Sequence, residues 1–548
     1  MSNQILSRRR TGGVSAALCG ALALAACSPA PEENTRAGYD QSAVSVSDVM
    51  LEEVVVVEAS GAMDPLVMPL PEPTGDLYAD VAPSAVIAVA EQPVSTFSID
   101  VDTASYANVR RFLEEGRLPP PDAVRVEELV NYFPYDYEVP RDAATPFATT
   151  VTVMPTPWNT GTQLVHIAIK GYDTVTAERP RANLVFLVDV SGSMDQADKL
   201  PLLVDSLRLL VDQLEPDDSI AIVTYAGNVR VALEPTPAAQ KGRILSVLDN
   251  LRAGGSTAGA AGIVLAYDAA RQGFVEGGLN RVILATDGDF NVGFSDPDTL
   301  QALIEHERDS GIYLSVLGFG RGNYNDLLMQ RIAQHGNGNA AYIDSLREAK
   351  KVLVDELDGT LFSIADDVKI QVEFNPAQVA EYRLLGYETR LLAREDFNND
   401  RIDAGEIGNG HDVTAIYEIV PAGGTYRWVD PLRYGAEEPV SDAGTLGDEL
   451  AFLRIRYKLP GEDTSKLIET PIRAAATLPQ IADADDDVRF AVAVAGWGEL
   501  LRGDDRMGTW RLADAMAMAR GARGEDAAGY RAEFVQLADL SRVLAQAE

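Results

Sequence analysis

The central part of the chain, residues 182–363, alternates short apolar runs with segments whose apolar residues recur at helical spacing. Runs at 184–188, 220–225, 282–286 and 313–319 predict strands that are buried on both faces of a parallel sheet. The helical face after the first run consists of Leu200, Leu203, Val204, Leu207, Val211 and Leu214. This alternation predicts an α/β domain with a doubly wound, mostly parallel sheet.

The two flanking regions have different patterns. Residues 95–181 combine a short strand, two helical segments and two alternating strands, which indicates a small α+β N-terminal module with leading strands. Residues 364–548 begin with strand-like runs and are predicted to form a β-strand plus helical C-terminal module. Its helical patterns lie at 487–502, 508–520 and 527–545. One helix over 345–363 is predicted to end the central domain.

The N-terminus carries a targeting segment. Three arginines at 8–10 precede an apolar run at 14–26, which is too short to cross a bilayer as a mature helix. The segment resembles a bacterial lipoprotein signal peptide over residues 1–26, and the resemblance implies that Cys27 is acylated. Because Ser28 stands where inner-membrane lipoproteins typically have aspartate, the resemblance favours the outer membrane.

Composition, cysteine content and net charge each add to this picture. Residues 27–94 are rich in Pro, Ala, Glu and Ser, so they are predicted to be a disordered tether between the lipid and the globular part. The cysteines are Cys19, inside the signal, and Cys27, which leaves no disulfide in the mature chain. The formal net charge of −37 argues against a nucleic-acid partner, because phosphates would be repelled.

A polar cluster follows the first apolar run. Asp189, Ser191 and Ser193 place one carboxylate and two hydroxyls on a single turn, and Gly192 is expected to let the backbone curl so that the oxygens converge. The carboxyl end of a parallel strand is where open α/β sheets hold ligands. Hard oxygen ligands favour Mg²⁺, Mn²⁺ or Ca²⁺ over Zn²⁺.

This cluster resembles the metal-ion-dependent adhesion site of von Willebrand factor type A domains. The resemblance implies two further metal ligands, Thr257 in a glycine-rich loop and Asp287 at the end of another apolar strand. It extends to a family of bacterial lipoproteins that have such a domain between N- and C-terminal modules. The alternative for the polar residues is a helix N-cap turn at DVSGS and a hairpin at ATDGD.

The resemblance implies a non-enzymatic protein that binds a protein partner through a divalent cation, with Mg²⁺ as the first choice. Ser191, Ser193 and Thr257 are neutral, so two carboxylates offset the cation, and an acidic side chain of the partner could complete its coordination. The alternative function is a structural envelope scaffold whose metal site is vestigial or permanently occupied.

Enzymatic alternatives rest on weaker patterns. Asp100 and Asp102 follow a strand as in haloacid-dehalogenase-type phosphatases, but Ala104 breaks that motif, and Asp102 with Thr103 is expected to cap the following helix. A serine hydrolase needs a base beside its nucleophile, and no G-x-S-x-G surrounds the two serines. The segment 395–406 is similar to a calcium loop, but its pattern favours an acidic turn between strands.

Overall fold

The computed structural model describes residues 75–140, 145–173, 179–256, 259–288, 297–430 and 447–547. The predicted signal peptide, Cys27, most of the predicted tether and Thr257 lie outside the described residues. The prediction of a disordered tether is wrong for its last part, because Ile87–Ala88 form a strand that pairs with Tyr382 and Glu381, and Val89 is buried. No helix in the described part of the chain combines the length and the apolar character needed to cross a membrane.

The strands and helices are numbered in chain order. The strands are β1 (Ile87–Ala88), β2 (Val94–Ser98), β3 (Phe147–Pro155), β4 (Gln163–Gly171), β5 (Ala182–Asp189), β6 (Ser219–Tyr225), β7 (Arg230–Pro237), β8 (Leu279–Thr286), β9 (Tyr313–Phe319), β10 (Ala340–Ile343), β11 (Ser363–Phe374), β12 (Val379–Leu385), β13 (Gly405–Gly408), β14 (Asp412–Pro421), β15 (Glu449–Lys458) and β16 (Lys466–Arg473). The helices are α1 (Ala104–Glu114), α2 (Val126–Val130), α3 (Leu200–Gln213), α4 (Lys241–Asp249), α5 (Gly259–Gln272), α6 (Pro297–Asp309), α7 (Asp326–His335), α8 (Leu346–Lys350), α9 (Leu357–Leu361), α10 (Asp486–Arg502), α11 (Leu512–Gly521) and α12 (Tyr530–Leu544).

The central sheet has the strand order β10-β9-β8-β5-β6-β7. Its neighbouring strands are parallel, except that β7 is antiparallel to β6. Every residue of β5 is buried, because α3, α4 and α8 cover one face of the sheet and α5, α6 and α7 cover the other. The prediction of a doubly wound, mostly parallel α/β sheet is confirmed.

Strands from before and after the central domain form two further sheets together. One sheet has the order β1-β12-β14-β4-β3; the other has the order β13-β11-β15-β16, with β2 also paired to β11. Phe97 of β2 is opposite Ile370 of β11, and Val165 of β4 is opposite Tyr417 of β14. All four side chains lie in one apolar core to which both sheets contribute. The predicted modules are thus consecutive in sequence but share sheets in space.

Helices cover the outer face of the first of these sheets. The predicted C-terminal helices are confirmed as α10, α11 and α12, and they pack with α1 and α2 in one apolar cluster. Leu164 and Ile416 join this cluster from β4 and β14. Inside it, the indole N–H of Trp497 donates to the hydroxyl of Ser541 at 2.9 Å, so the buried indole keeps a polar partner.

The expected helix cap by Asp102 and Thr103 is wrong. Helix α1 begins after Thr103 without a side-chain cap hydrogen bond. The carboxylate of Asp102 instead accepts from the backbone N–H of Ala340 at 2.8 Å and from Arg390 at 2.9 Å. Arg390 also donates to Asp100 at 3.0 Å, so both aspartates belong to a buried ion pair, which sequence spacing alone does not reveal.

The predicted single helix over 345–363 is also wrong in detail. Helix α8 passes into a π-helical turn, Lys351–Asp355, and α9 follows. Lys351 is buried in that turn, where its ammonium pairs with Glu356 at 2.6 Å and lies 4.3 Å from the ring centre of Tyr132. The turn thus coincides with a buried cation that a regular amphipathic pattern does not anticipate.

The predicted acidic turn between strands is present: a 3₁₀ turn, Arg394–Asn398, begins the segment 395–406, and the segment ends in the first two residues of β13. Its Asp400 accepts from the hydroxyl of Ser465 at 2.7 Å and from Arg456 at 3.2 Å. Ile407, where a calcium loop would need its bidentate carboxylate, is buried and paired with Ala365 in the sheet. The acidic side chain of Asp400 therefore stabilises the turn through protein donors.

Candidate metal centre

Two carboxylates meet at one edge of the central sheet. Strand β5 ends at Asp189, and Asp287 directly follows its parallel neighbour β8. Adjacent parallel strands bring their carboxyl ends to the same edge, which is why residues 98 positions apart become neighbours. Both aspartates are 0% exposed. The predicted convergence of these two side chains is therefore what the backbone topology produces.

The turn after β5 presents the two serines. The backbone N–H of Ser191 donates to Oδ1 of Asp189 at 2.7 Å, and the hydroxyl oxygens of Ser191 and Ser193 lie 3.0 Å apart. Ser191 is 2% exposed, whereas Ser193 is exposed. The short 3₁₀ turn Gly192–Asp195 is anchored by the buried side chain of Met194.

The expected role of Gly192 needs correction, since its φ is not positive. Its backbone N–H donates to the carbonyl of Gly255 at 3.0 Å, and the N–H of Gly254 donates to the carbonyl of Val190 at 2.8 Å. Gly255 is the residue in the left-handed region, with φ +94°. The glycine-rich loop is thus hydrogen-bonded to the serine turn. Thr257, two positions further on, is not among the described residues, and its assignment as a ligand stays a prediction.

The structure places a lysine, Lys199, beside Asp287, and the sequence analysis did not predict this contact. The ammonium of Lys199 lies 2.9 Å from Oδ2 of Asp287 and 3.2 Å from Oδ1 of Asn323. Lys199 is 2% exposed although it precedes α3, where a lysine is ordinarily solvated. The pattern that identifies oxygen ligands says nothing about a lysine, so no local signal in the sequence could have found it.

The environment of Asp189 disfavours a lone negative charge. Burial raises the pKa of Asp189 to about 6, with the charge of Asp287 adding to the effect, although hydrogen bonds from Ser191 and Tyr225 partly oppose it. The hydroxyl of Thr286 is a further neighbour, 3.4 Å from Oδ2. Tyr225 and Thr286 are thus additional site residues that the motif did not identify.

The pKa of Asp287 is shifted in the opposite direction. Burial by itself raises the pKa of Asp287, but hydrogen bonds from Lys199, Ser193 and Asn323 outweigh burial, and the net pKa lies below its usual value. Gly288 follows with φ +97°, and a Cβ there would lie 2.6 Å from Cα of Tyr324. A glycine is therefore required where the chain turns away from this aspartate.

The residues present fit a hard divalent cation. Asp189, Ser191, Ser193 and Asp287 supply carboxylate and hydroxyl oxygens from two adjacent segments, and sulfur and imidazole donors are absent from this set. Burial is the main cause of the raised pKa of Asp189, and a bound cation would offset that cost by stabilising the carboxylate. These four residues would hold the ion.

Three family models match successive parts of the chain. The family model described as "von Willebrand factor type A domain" matches residues 183–355, the one described as "von Willebrand factor" matches residues 72–166, and the one described as "Uncharacterized protein YfbK, C-terminal" matches residues 359–544. The "Uncharacterized protein YfbK" of Escherichia coli (strain K12) is 47% identical over 470 residues, which are 85% of this chain and 80% of that protein. The chain belongs to the YfbK family.

The site of this YfbK-family chain lies inside its type A domain. A more distant relative is inter-alpha-trypsin inhibitor heavy chain H3 of Mesocricetus auratus, 28% identical over 258 residues, which are 43% of this chain and 28% of that protein. Among solved structures, "von Willebrand factor type A from Catenulispora acidiphila" is 16% identical with a TM-score of 0.40 and covers 71% of this chain and 89% of its own.

Proposed function

We propose that this protein is a non-enzymatic, lipid-anchored envelope protein whose type A domain binds a protein partner through a divalent cation, with Mg²⁺ as the first choice. The observation that carries the proposal is the convergence of Asp189, Ser191, Ser193 and Asp287 at one edge of the sheet, with Ser193 exposed. A cation held there would be reachable by a partner from outside. Type A domains commonly mediate protein–protein interactions, which supports the same role here.

The chemistry of the site favours an acidic side chain on the partner. Neutral hydroxyls make up the rest of the described ligand set, so the two aspartates balance a divalent cation without excess negative charge. A carboxylate from the partner could then enter the coordination shell at little electrostatic penalty. Outside the site, the formal net charge of −37 would repel a strongly acidic partner, which favours one acidic residue on an otherwise neutral or basic surface.

The non-enzymatic proposal is supported by the surroundings of the serines. No histidine in the described segments forms a hydrogen bond with Ser191 or Ser193. His166 instead lies on β4, where its ring contacts Tyr137. The described hydrogen bonds of the two hydroxyls go to the metal-site aspartates, so the histidine base of a Ser-His-Asp triad has no counterpart beside them.

The anchor belongs to the proposal because of the sequence around Cys27. An arginine-containing start, an apolar run and the motif LAAC support acylation of this cysteine, and Ser28 supports the outer membrane. The residues that follow are rich in Pro, Ala and Glu and supply the length to hold the type A domain away from the bilayer.

Affinity capture tests the function. The full-length protein is used as bait for solubilised envelope proteins with Mg²⁺ or with EDTA, next to the Asp287→Ala variant. The matched control is Asp195→Ala, which removes an exposed aspartate from the turn that carries Ser193. We expect a partner to be retained by wild type and Asp195→Ala in Mg²⁺, and lost with EDTA or with Asp287→Ala.

A partner retained equally in EDTA and by Asp287→Ala would contradict metal-dependent binding. That outcome would favour the second candidate, a structural envelope scaffold that does not use its metal site for recognition.

A further inference from the structure

Lys199 reaches the candidate metal centre because a glycine leaves room for its side chain. Its side chain crosses Gly320, where an added Cβ would lie 2.3 Å from the lysine Cε, so a glycine there leaves room for the stem. The ammonium then donates to Asp287 and to Asn323. A side chain that is 3% exposed and paired at both contacts is fixed in place, unlike a surface lysine.

The contact changes the charge of the site. Oδ2 of Asp287 is within 2.9 Å of a fixed positive charge, so a divalent ion bound to this aspartate shares it with a second cation. Asp189 and Asp287 together balance the charge of a divalent ion. Lys199 therefore leaves one positive charge in excess on the loaded cluster, in a largely buried position where electrostatic interactions are strong.

We propose that the ammonium of Lys199 lowers the affinity of the site for the divalent metal. The same charge raises the affinity of the metal-loaded site for an anionic group of the partner. The inference rests on the proposed function and adds the residue that sets its metal affinity and its charge preference. The lysine acts through electrostatics: it competes with the divalent ion for Asp287 and attracts the incoming carboxylate.

This role predicts two effects of opposite sign. Without the lysine charge, the metal binds more tightly because repulsion and competition disappear, whereas a carboxylate binds more weakly because the excess positive charge is gone. A lysine that only supported the local fold would lower both affinities when replaced. The sign of the metal effect therefore separates the electrostatic role from a structural one.

The test uses full-length protein purified in detergent and the variant Lys199→Met, which keeps an unbranched stem beside Gly320. Mn²⁺ binding is measured by titration calorimetry. Acetate, the probe for an acidic side chain, is titrated into Mn²⁺-saturated protein and followed by the paramagnetic relaxation of its methyl protons. Lys170→Met is the matched control, because Lys170 pairs with Asp412 on β14 instead.

We expect Lys199→Met to bind Mn²⁺ about tenfold more tightly or better, and to bind acetate several-fold more weakly, with Lys170→Met equal to wild type. Lys199→Arg, which keeps the charge, should stay close to wild type in its preference for acetate.

Unchanged or weaker Mn²⁺ binding by Lys199→Met, with the melting temperature of wild type, would overturn the inference while leaving the metal site intact. If Lys199→Met melts early, Lys199→Gln provides the same comparison. Absence of Mn²⁺ binding by wild type itself would instead refute the proposed metal-dependent function, and the inference with it.

Discussion

Glu127 of α2 is a buried carboxyl whose protonation should control stability at neutral and alkaline pH. Burial raises its pKa to about 8, and the negative charges of Glu388, Asp100 and Glu128 add to this effect, while the backbone N–H of Tyr387 only partly opposes it. The side chain is 1% exposed. The folded protein therefore holds a proton here that the unfolded chain, with a pKa of 4.5, has already released at neutral pH.

The sign and size of the effect follow from this difference. A raised folded-state pKa contributes stability that is fully present below pH 4.5 and is lost as the pH rises through about 8. At about 1.36 kcal/mol per pH unit, the loss between pH 6 and pH 8 is about 3 kcal/mol. An unfolding entropy of about 2.1 cal/mol/K per residue gives roughly 1 kcal/mol/K for a chain of this size, so Tm falls by about 3 °C.

Glu127→Gln removes the titration and keeps the shape of the side chain. We expect its Tm, measured by scanning fluorimetry from pH 6 to pH 9, to lose about 3 °C less than that of wild type. Glu138→Gln, at an exposed position, is the control and should follow the wild-type curve. Parallel curves for wild type and Glu127→Gln would refute the reasoning, because the carboxyl would then titrate alike in the folded and unfolded chain.

Further predictions concern packing, metal and anchoring. Gly496→Ala should lower the free energy of unfolding by about 1–3 kcal/mol, because the added Cβ would lie 2.1 Å from Trp510. The control is Gly242→Ala on α4, where the added Cβ has open space; chemical denaturation should show no such loss for it. Asp287→Ala should weaken Mg²⁺ binding more than Ser193→Ala, because it removes an anionic ligand; calorimetry showing equal affinities would contradict the ligand assignment. Cys27→Ala should release the protein from the membrane while it stays folded, and a variant that remains membrane-bound with its acyl label would contradict the anchor.

The sequence by itself predicted the central domain and most of its candidate site. Apolar runs buried on both faces, separated by amphipathic helices, have few arrangements other than a doubly wound sheet. Parallel strands place their carboxyl ends at one edge, so Asp189 and Asp287 could be expected to meet although they are far apart in the chain. Ser191 and Ser193 follow from local spacing on the same turn.

The contacts of buried charges needed the tertiary structure. Lys199 precedes a helix in a polar stretch, a local pattern that fits a solvated side chain, and only the fold brings it to Asp287, 88 residues away. Arg390 likewise removes Asp102 from the expected helix cap, across 288 residues. The pairing of β2 with β11 around the whole central domain is another contact of this kind. Hydrophobic periodicity shows which face of a helix or strand is buried, but not which distant segment packs against that face. The partner of a buried charge depends on that packing, so only the tertiary structure identifies it.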